Sequence, residues 1–274
     1  MLGEMLENVR KKSPLIQNIT NYVTANDCAN ITLACGASPT MSDGEEEAVE
    51  MATLCDGLNI NMGTLHPRSI KAMLLAGKQS NVCGHPVVLD PVGAGASSYR
   101  METAAALLSE IQFAAIRGNI SEIKTLANGK GSSKGVDADA ADAITEDTLP
   151  DMIAFAKEYA GITGAVIAVS GAIDIVSDSK KAYVIRNGHS VMAQITGCGC
   201  MLSSLTAAYL AANPEHHLEA AAAASIAMGL CGQLAYDKMA AQQAGNSSCR
   251  NYLIDAVYHL TGEQLERGAN YELY

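Results

Sequence analysis

Short, uninterrupted apolar runs alternating with stretches of helical spacing constrain this chain more than any other feature of its sequence. Strand-sized runs lie at Gly57 to Asn61 (GLNIN), Pro86 to Asp90 (PVVLD), Phe113 to Arg117 (FAAIR) and Ala165 to Ser170 (AVIAVS). Helical spacing fills Glu45 to Leu54, Pro67 to Val82, Met101 to Ile111 and Met152 to Tyr159. A strand that is apolar nearly throughout is covered on both faces, so it belongs to a parallel sheet with helices above and below. The expected fold is therefore α/β, mostly parallel, with residues 1–274 forming one domain. Between Ile173 and Ile195 the runs break at Asp178-Ser179 and at Asn187-Gly188, and Asn-Gly between such runs signals a hairpin, here an antiparallel edge on the sheet. The Gly, Ser, Ala and Asp residues from Asn128 to Asp142 read as a surface loop between two halves of the domain. After Cys200 the sequence becomes alanine-rich and helical nearly to its end, and Pro214 and Gly245-Asn246-Ser247 divide it into three helices.

Composition removes several classes of function. With 49% hydrophobic residues the chain can build a core, and a net charge of -11 disfavours non-specific binding to nucleic acid or an anionic membrane. Eight cysteines at irregular spacing do not form a small secreted disulfide framework, so reduced thiols are expected. Met1 to Lys12 is amphipathic without the apolar core of a signal peptide. Leu218 to Leu234 is interrupted by Glu219, Ser225 and Gln233, which suits a buried helix better than a membrane span. A cytoplasmic protein is expected.

In open α/β sheets ligands bind outside the carboxyl ends of the strands, and four such places carry unusual chemistry. In VVLDPVGAG, Asp90 ends a strand at a Gly-rich turn, where a carboxylate can bind Mg²⁺ or cap the turn. In AAIRGNISEI, Arg117, Asn119 and Glu122 suit a nucleotide–Mg²⁺ site, while Asn119 and Glu122 equally suit a capping box. In VIAVSGAID, Ser170 can bind a phosphate or simply close the turn. Most specific is QITGCGCMLSSL, where Gly197, Cys198, Gly199 and Cys200 lead directly into a helix. Converging backbone N–H groups and the helix N-terminus make this an anion hole suited to a phosphoryl group in transfer. The same turn can stabilise the Cys200 thiolate. A Cys-x-Cys metal pair and a redox dithiol compete with that reading, as does a purely structural turn, although the usual redox spacing is Cys-x-x-Cys. The sequence lacks both the Walker pattern and a strand-to-helix G-x-G-x-x-G, which argues against a P-loop NTPase and a Rossmann dehydrogenase. Together the four places are what phosphoryl transfer from a Mg²⁺-nucleotide requires.

The segments SPLIQNITNYVT, GASPTM, LNINMGTL, VVLDPVGAG, AAIRGNISEI and ITGCGC stand in the order and spacing of the hydroxyethylthiazole kinases of thiamine biosynthesis, and the chain resembles that family from about Ser13 into its C-terminal helices. The resemblance implies a ribokinase-like fold. It implies that 4-methyl-5-(2-hydroxyethyl)thiazole is phosphorylated with ATP and Mg²⁺ by a homotrimer with active sites between subunits. By motif it places Cys200 at the catalytic position and Met41, Gly197 and Asn21 against the thiazole. It assigns Arg117 and Ser170 to ATP, and Asp90 and Glu122 to the metal. Cys198 stands where members often have Ala, and Ser170 where many have Thr. A thiol at position 200, where the wider superfamily usually has an Asp base, sets the chain apart from pyrimidine, pyridoxal and sugar kinases.

Overall fold

The computed structural model describes residues 1–129 and 144–274, so the predicted loop from Asn128 to Asp142 lies outside the described residues beyond Gly129. Among the described residues nine strands form one sheet in the order β2-β1-β3-β4-β5-β6-β7-β8-β9. The strands β1 (Leu15–Ile19), β2 (Ser38–Thr40), β3 (Gly57–Asn61), β4 (Val87–Asp90), β5 (Ala115–Asn119) and β6 (Val166–Ser170) are mutually parallel. Antiparallel pairing then adds β7 (Asp174–Ser177), β8 (Ala182–Ile185) and β9 (Tyr271–Leu273).

Successive side chains on a strand point to opposite faces, and each face has its own core. One face carries Ile16, Val88, Ala115, Val166 and Ala168, packed against α1 (Leu2–Lys12), α2 (Ala25–Cys35), α8 (Cys198–Ala212) and α9 (His217–Ala241). The other carries Leu58, Ile60, Val87, Leu89, Ile116 and Ile167, covered by α3 (Ala48–Leu54), α4 (Pro67–Cys83), α5 (Ser98–Glu110), α6 (Ile120–Asn128) and α7 (Leu149–Thr163). Both α8 and α9 are apolar nearly all round because neighbours cover them on most sides. Among the described residues α9 is the one helix long and apolar enough to cross a membrane, and 78% of its most apolar stretch is buried within the fold. This agrees with the buried helix expected there. The helices α10 (Asn246–His259) and α11 (Gly262–Gly268) complete the cover.

Three local expectations need correction. The strand expected at Phe113 to Arg117 starts and ends two residues later. The β7–β8 hairpin turns at Asp178-Ser179, and Asn187-Gly188 does not join strands. The Asn187 amide instead donates to Gln233 and to the Gly268 carbonyl and accepts from the Asn270 N–H. It thereby anchors the chain to the C-terminal segment, and Ser190–Gln194 forms a 3-10 turn in place of the expected strand. After Cys200 the chain forms four helices where three were expected, because α10 ends at His259 and Thr261 caps a separate α11, and β9 then pairs with β8.

Candidate active site

Period two along the strands gathers the chemistry. Residues 59 and 61, 88 and 90, 115 and 117, and 166, 168 and 170 each share a face, and Val88, Ala115, Val166 and Ala168 fix it as the face under α8. Asn61, Asp90, Arg117 and Ser170 therefore project toward α8 at or near the carboxyl ends of four adjacent strands. Parallel register brings them level: Asn61 lies opposite Asp90, and Arg117 is two residues before the Asn119 that lies opposite Ser170.

The turn into α8 faces this row. Gly197 caps the helix with φ +88, and a Cβ there would stand 2.7 Å from Thr24 Cγ2, so the turn requires glycine. A Cβ on Gly199 would stand 2.5 Å from Arg117 Nη1, which puts the guanidinium directly over the backbone of the turn. N–H groups at the start of α8 and a guanidinium thus converge on one small volume, an arrangement that suits an anion, although the Cys198 N–H already reaches the Ile195 carbonyl at 3.4 Å.

Arg117 donates to Ser170 Oγ through Nη2 and lies with Nη1 3.6 Å from Asp90 Oδ2. Asp90 is fully buried; its Oδ2 accepts from Asn61 Nδ2 (2.8 Å) and Ser203 Oγ (2.7 Å), whereas Oδ1 has no hydrogen-bond partner among the described residues. Burial raises the Asp90 carboxyl above the ordinary carboxylate range, against the opposing pull of Arg117. Glu122 is held by the Gly93 N–H and the Asn119 N–H, both at 2.8 Å, and Asn119 Oδ1 accepts in return from the Glu122 N–H. The capping box is therefore real, and it does not exclude a role in the site, since the same carboxylate lies beside Asp90. Burial first, and the Asp90 charge second, push Glu122 up to about 7.

Cys200 Sγ accepts from Asn21 Nδ2 and Asn61 Nδ2, each at 3.3 Å. The helix N-terminus was expected to favour the thiolate, but burial and the Asp90 charge outweigh the local donors and raise the thiol. Burial likewise pushes Cys198 up to about 12. Both shifts run opposite to those of a reactive redox pair. No group of three or more His, Cys, Asp or Glu residues is arranged to hold a metal alone among the described residues.

Beyond the end of β1 lies a cavity of about 130 Å³ lined by Asn18, Thr20, Tyr22, Met41, Thr64 and His66, among others. The structure thus unites Cys200, Gly197 to Gly199, Asp90, Arg117, Ser170 and Glu122, and sets Met41 apart at this cavity; Asn21 stands against Cys200. The sequence reading left Asn61, Ser203 and Arg100 without a role. Asn61 ends its strand as Asp90 ends the next, and that parallel was the available signal. Arg100 had none: it reaches back from α5 to donate to the carbonyls of Met62, Gly63 (2.7 Å) and Val92 (2.7 Å), fastening the loops that follow β3 and β4 to each other.

A mostly parallel sheet whose carboxyl edge gathers a glycine turn at a helix N-terminus, an arginine and two buried carboxylates has the architecture of the ribokinase-like small-molecule kinases. Comparison with known proteins narrows the class. Residues 6–263 match the model of the hydroxyethylthiazole kinase family. A hydroxyethylthiazole kinase of Clostridium acetobutylicum is 58% identical over 274 residues, covering 100% of both chains, and one of Methanocella arvoryzae is 40% identical over 264 residues, covering 96% of this chain and 95% of the other. The solved structure of the hydroxyethylthiazole kinase of Pyrococcus horikoshii OT3 superposes with TM-score 0.87 at 33% identity, covering 100% of this chain and 98% of that one. A Staphylococcus aureus pyridoxal kinase shares the fold alone, with TM-score 0.54 at 15% identity and coverage of 80% of this chain and 88% of that one. The chain belongs to the hydroxyethylthiazole kinase family.

Proposed function

We propose that this chain transfers the γ-phosphoryl group of ATP to the hydroxyl of 4-methyl-5-(2-hydroxyethyl)thiazole, in thiamine biosynthesis or salvage. One observation carries the reading: the Arg117 guanidinium lies over Gly199, in the turn that opens α8, with Ser170 and Asp90 as its partners. A primary alcohol is a poor nucleophile, so catalysis rests on aligning it with the γ-phosphorus, excluding water and offsetting the developing charge. The N–H groups from Gly197 to Cys200 supply the offset, and Arg117 and Ser170 hold the nucleotide phosphates. Met41 and the cavity it lines take the flat, sulfur-containing ring through soft contacts. Gly197 borders the ring on the side of the anion turn. Cys200 lies beside the alcohol, and in a loose transition state the alcohol proton leaves late, once its oxygen is bonding to phosphorus, and passes to an oxygen of the transferred phosphoryl group, so that little base strength is needed at position 200.

The donor set suits Mg²⁺. Mg²⁺ is ordinarily held by one or two carboxylates together with substrate phosphates, not by an all-protein cage. Asp90, with its unpartnered Oδ1, and Glu122, raised in part by the Asp90 charge, form such a pair. When bound, the ion would neutralise phosphate charge; Asp90 and Glu122 are the residues that would hold it.

A homotrimer with its sites between subunits and a place in the cytoplasm complete the reading. Tyr22 supports the former, for it lines the cavity yet is 81% exposed, an apolar rim suited to cover by a second copy. Light scattering of the purified protein tests the trimer. The reaction is tested by ADP formation with Mg²⁺-ATP and either hydroxyethylthiazole or hydroxymethylpyrimidine at equal concentration. Thiazole-dependent turnover is expected; turnover with the pyrimidine alone places the chain in another branch of the class, and turnover with neither overturns the reading.

A further inference from the structure

The two amides that touch Cys200 use every hydrogen-bonding position they possess. A primary amide has two N–H donors and an oxygen with two lone pairs. Asn21 Oδ1 accepts from the backbone N–H groups of Val23 and Thr24, both at 3.1 Å, and its Nδ2 donates to Asn61 Oδ1 (2.9 Å) and Cys200 Sγ (3.3 Å). Asn61 Oδ1 accepts from Asn21 Nδ2 and the Gly63 N–H (2.9 Å), and its Nδ2 donates to Asp90 Oδ2 (2.8 Å) and Cys200 Sγ (3.3 Å). Neither amide can be turned over, because a backbone N–H only donates and so fixes which end of each amide is oxygen. Both side chains are buried, and the Asn21 side chain is absent from the lining of the cavity that contains Met41.

We propose that Asn21 and Asn61 form a locked amide cradle that fixes the Cys200 sulfur and ties it to Asp90, and that neither amide binds the thiazole. The inference rests on Cys200 being the residue that meets the alcohol. It reassigns Asn21, which family resemblance places against the substrate, to a positioning role: a saturated amide has no donor or acceptor left for a ligand. The sulfur is held as the acceptor of two fixed N–H groups, which engage both lone pairs of the thiol and so set where its own hydrogen points. Through Asn61 the same amide fixes its spacing from the carboxylate that faces the phosphoryl group. Misplacement of a reacting group by about 1 Å can lower a rate roughly a hundredfold.

The test separates positioning from substrate contact. In the full-length enzyme, Asn21→Ala and Asn61→Ala are expected to lower kcat by about a hundredfold while the KM for the thiazole alcohol stays within about twofold. A rise in that KM with kcat retained overturns the proposal and makes the affected asparagine a substrate contact. A second measurement uses the wild-type protein, so it stands even if a variant does not fold. The side-chain NH₂ groups of Asn21 and Asn61 should exchange with solvent at least about a hundredfold more slowly than those of exposed asparagines. They should stay slow when hydroxyethylthiazole is added. Rapid exchange in the free protein, or a large thiazole-induced shift of the Asn21 NH₂, also overturns it. If the wild-type enzyme does not turn over the thiazole, the functional reading fails while slow exchange still reports the cradle, so the two failures are distinct.

Discussion

The ends of β1 and β3 and the ends of β4 and β5 lie side by side in one sheet, yet they are built on opposite principles. On the first side the groups that touch Cys200 are neutral amides, saturated by one another and by backbone N–H groups. On the second side the groups are charged and incompletely partnered: among the described residues Asp90 Oδ1 and Arg117 Nε have no hydrogen bond, and the carboxyls of Asp90 and Glu122 are raised by burial. Saturation costs little and holds geometry, so it suits the place where an uncharged alcohol must be aimed. Buried charge is expensive until a counter-charge arrives, so it suits the place where a polyanion and a cation bind and leave in every cycle. The contrast matches the ligand each side is proposed to receive.

The strongest attack on this division is at the residue where the two sides meet. Gly199→Val is expected to abolish turnover, by at least about a thousandfold, because the side chain would occupy the place of the Arg117 guanidinium and drive it from Ser170 and Asp90. Thiazole binding, followed by calorimetry, should survive, since the cavity at Met41 is not touched. Turnover within about tenfold of wild type would mean that the arginine acts elsewhere. Next in size is Asp90→Asn, which removes a charge on one side while keeping the shape on the other. A loss of roughly 10²–10³ in kcat is expected, with the thiazole KM kept; a change confined to that KM would show that Asp90 belongs to the neutral side.

The same contrast explains how much was legible in the sequence. The charged side announced itself, because Asp90, Arg117 and Glu122 are conspicuous at the ends of apolar runs, and strand ends are where ligands bind. The tight turn into α8 was legible because glycines before an apolar helical run mark a helix entry, which the structure has at Gly197. The neutral side was nearly silent. Asn61 closes an apolar run as Asp90 does, but it carries no charge to mark it, and its importance comes from having Asn21, Gly63, Asp90 and Cys200 as simultaneous neighbours, a relation that only the folded chain creates. Polar Gln17 and Asn18 likewise hid β1, and Arg100 acts through three carbonyls that no side-chain pattern reveals. Asn187-Gly188 misled for a related reason: its amide is engaged by residues from α9 and the C-terminal segment, and long-range bonds override a local turn preference.

Titration sharpens the comparison with a smaller effect. Glu122 ionises near 4.5 when exposed and near 7 in the fold. Between those values the folded protein holds a proton that the unfolded chain has released, so this group's contribution to stability is full below about 4.5, falls as pH rises, and is lost above about 7. Asp174, pushed up to about 7 by desolvation, acts with the same sign. The wild-type melting temperature in the ligand-free state should therefore fall, relative to that of Glu122→Gln, by several degrees between pH 5 and pH 7.5, on the order of a few kcal/mol. Parallel melting curves of the two proteins across that range would show that the buried charge is already balanced without a ligand. Asn21→Ala should leave the slope unchanged, because an asparagine amide neither gains nor loses a proton in that range.

The smallest effect is expected where the neutral side is altered most conservatively. Cys200→Ser replaces the sulfur by an oxygen that can accept from the same Asn21 and Asn61 amides, so the direction set by the cradle is kept. A hydroxyl is far harder to deprotonate than a thiol. The difference counts in full only if the proton leaves before the phosphoryl group arrives. In a loose transition state the bond to the leaving group is largely broken first, the alcohol becomes acidic as it bonds to phosphorus, and base strength at position 200 matters little. A fall of about tenfold or less in kcat, with the KM for the thiazole unchanged, is therefore expected from steady-state kinetics. A fall beyond about a thousandfold with an unchanged melting temperature would show that the sulfur must take the proton early. The amides around it would then serve its basicity, and the neutral side would be doing chemistry as well as holding geometry.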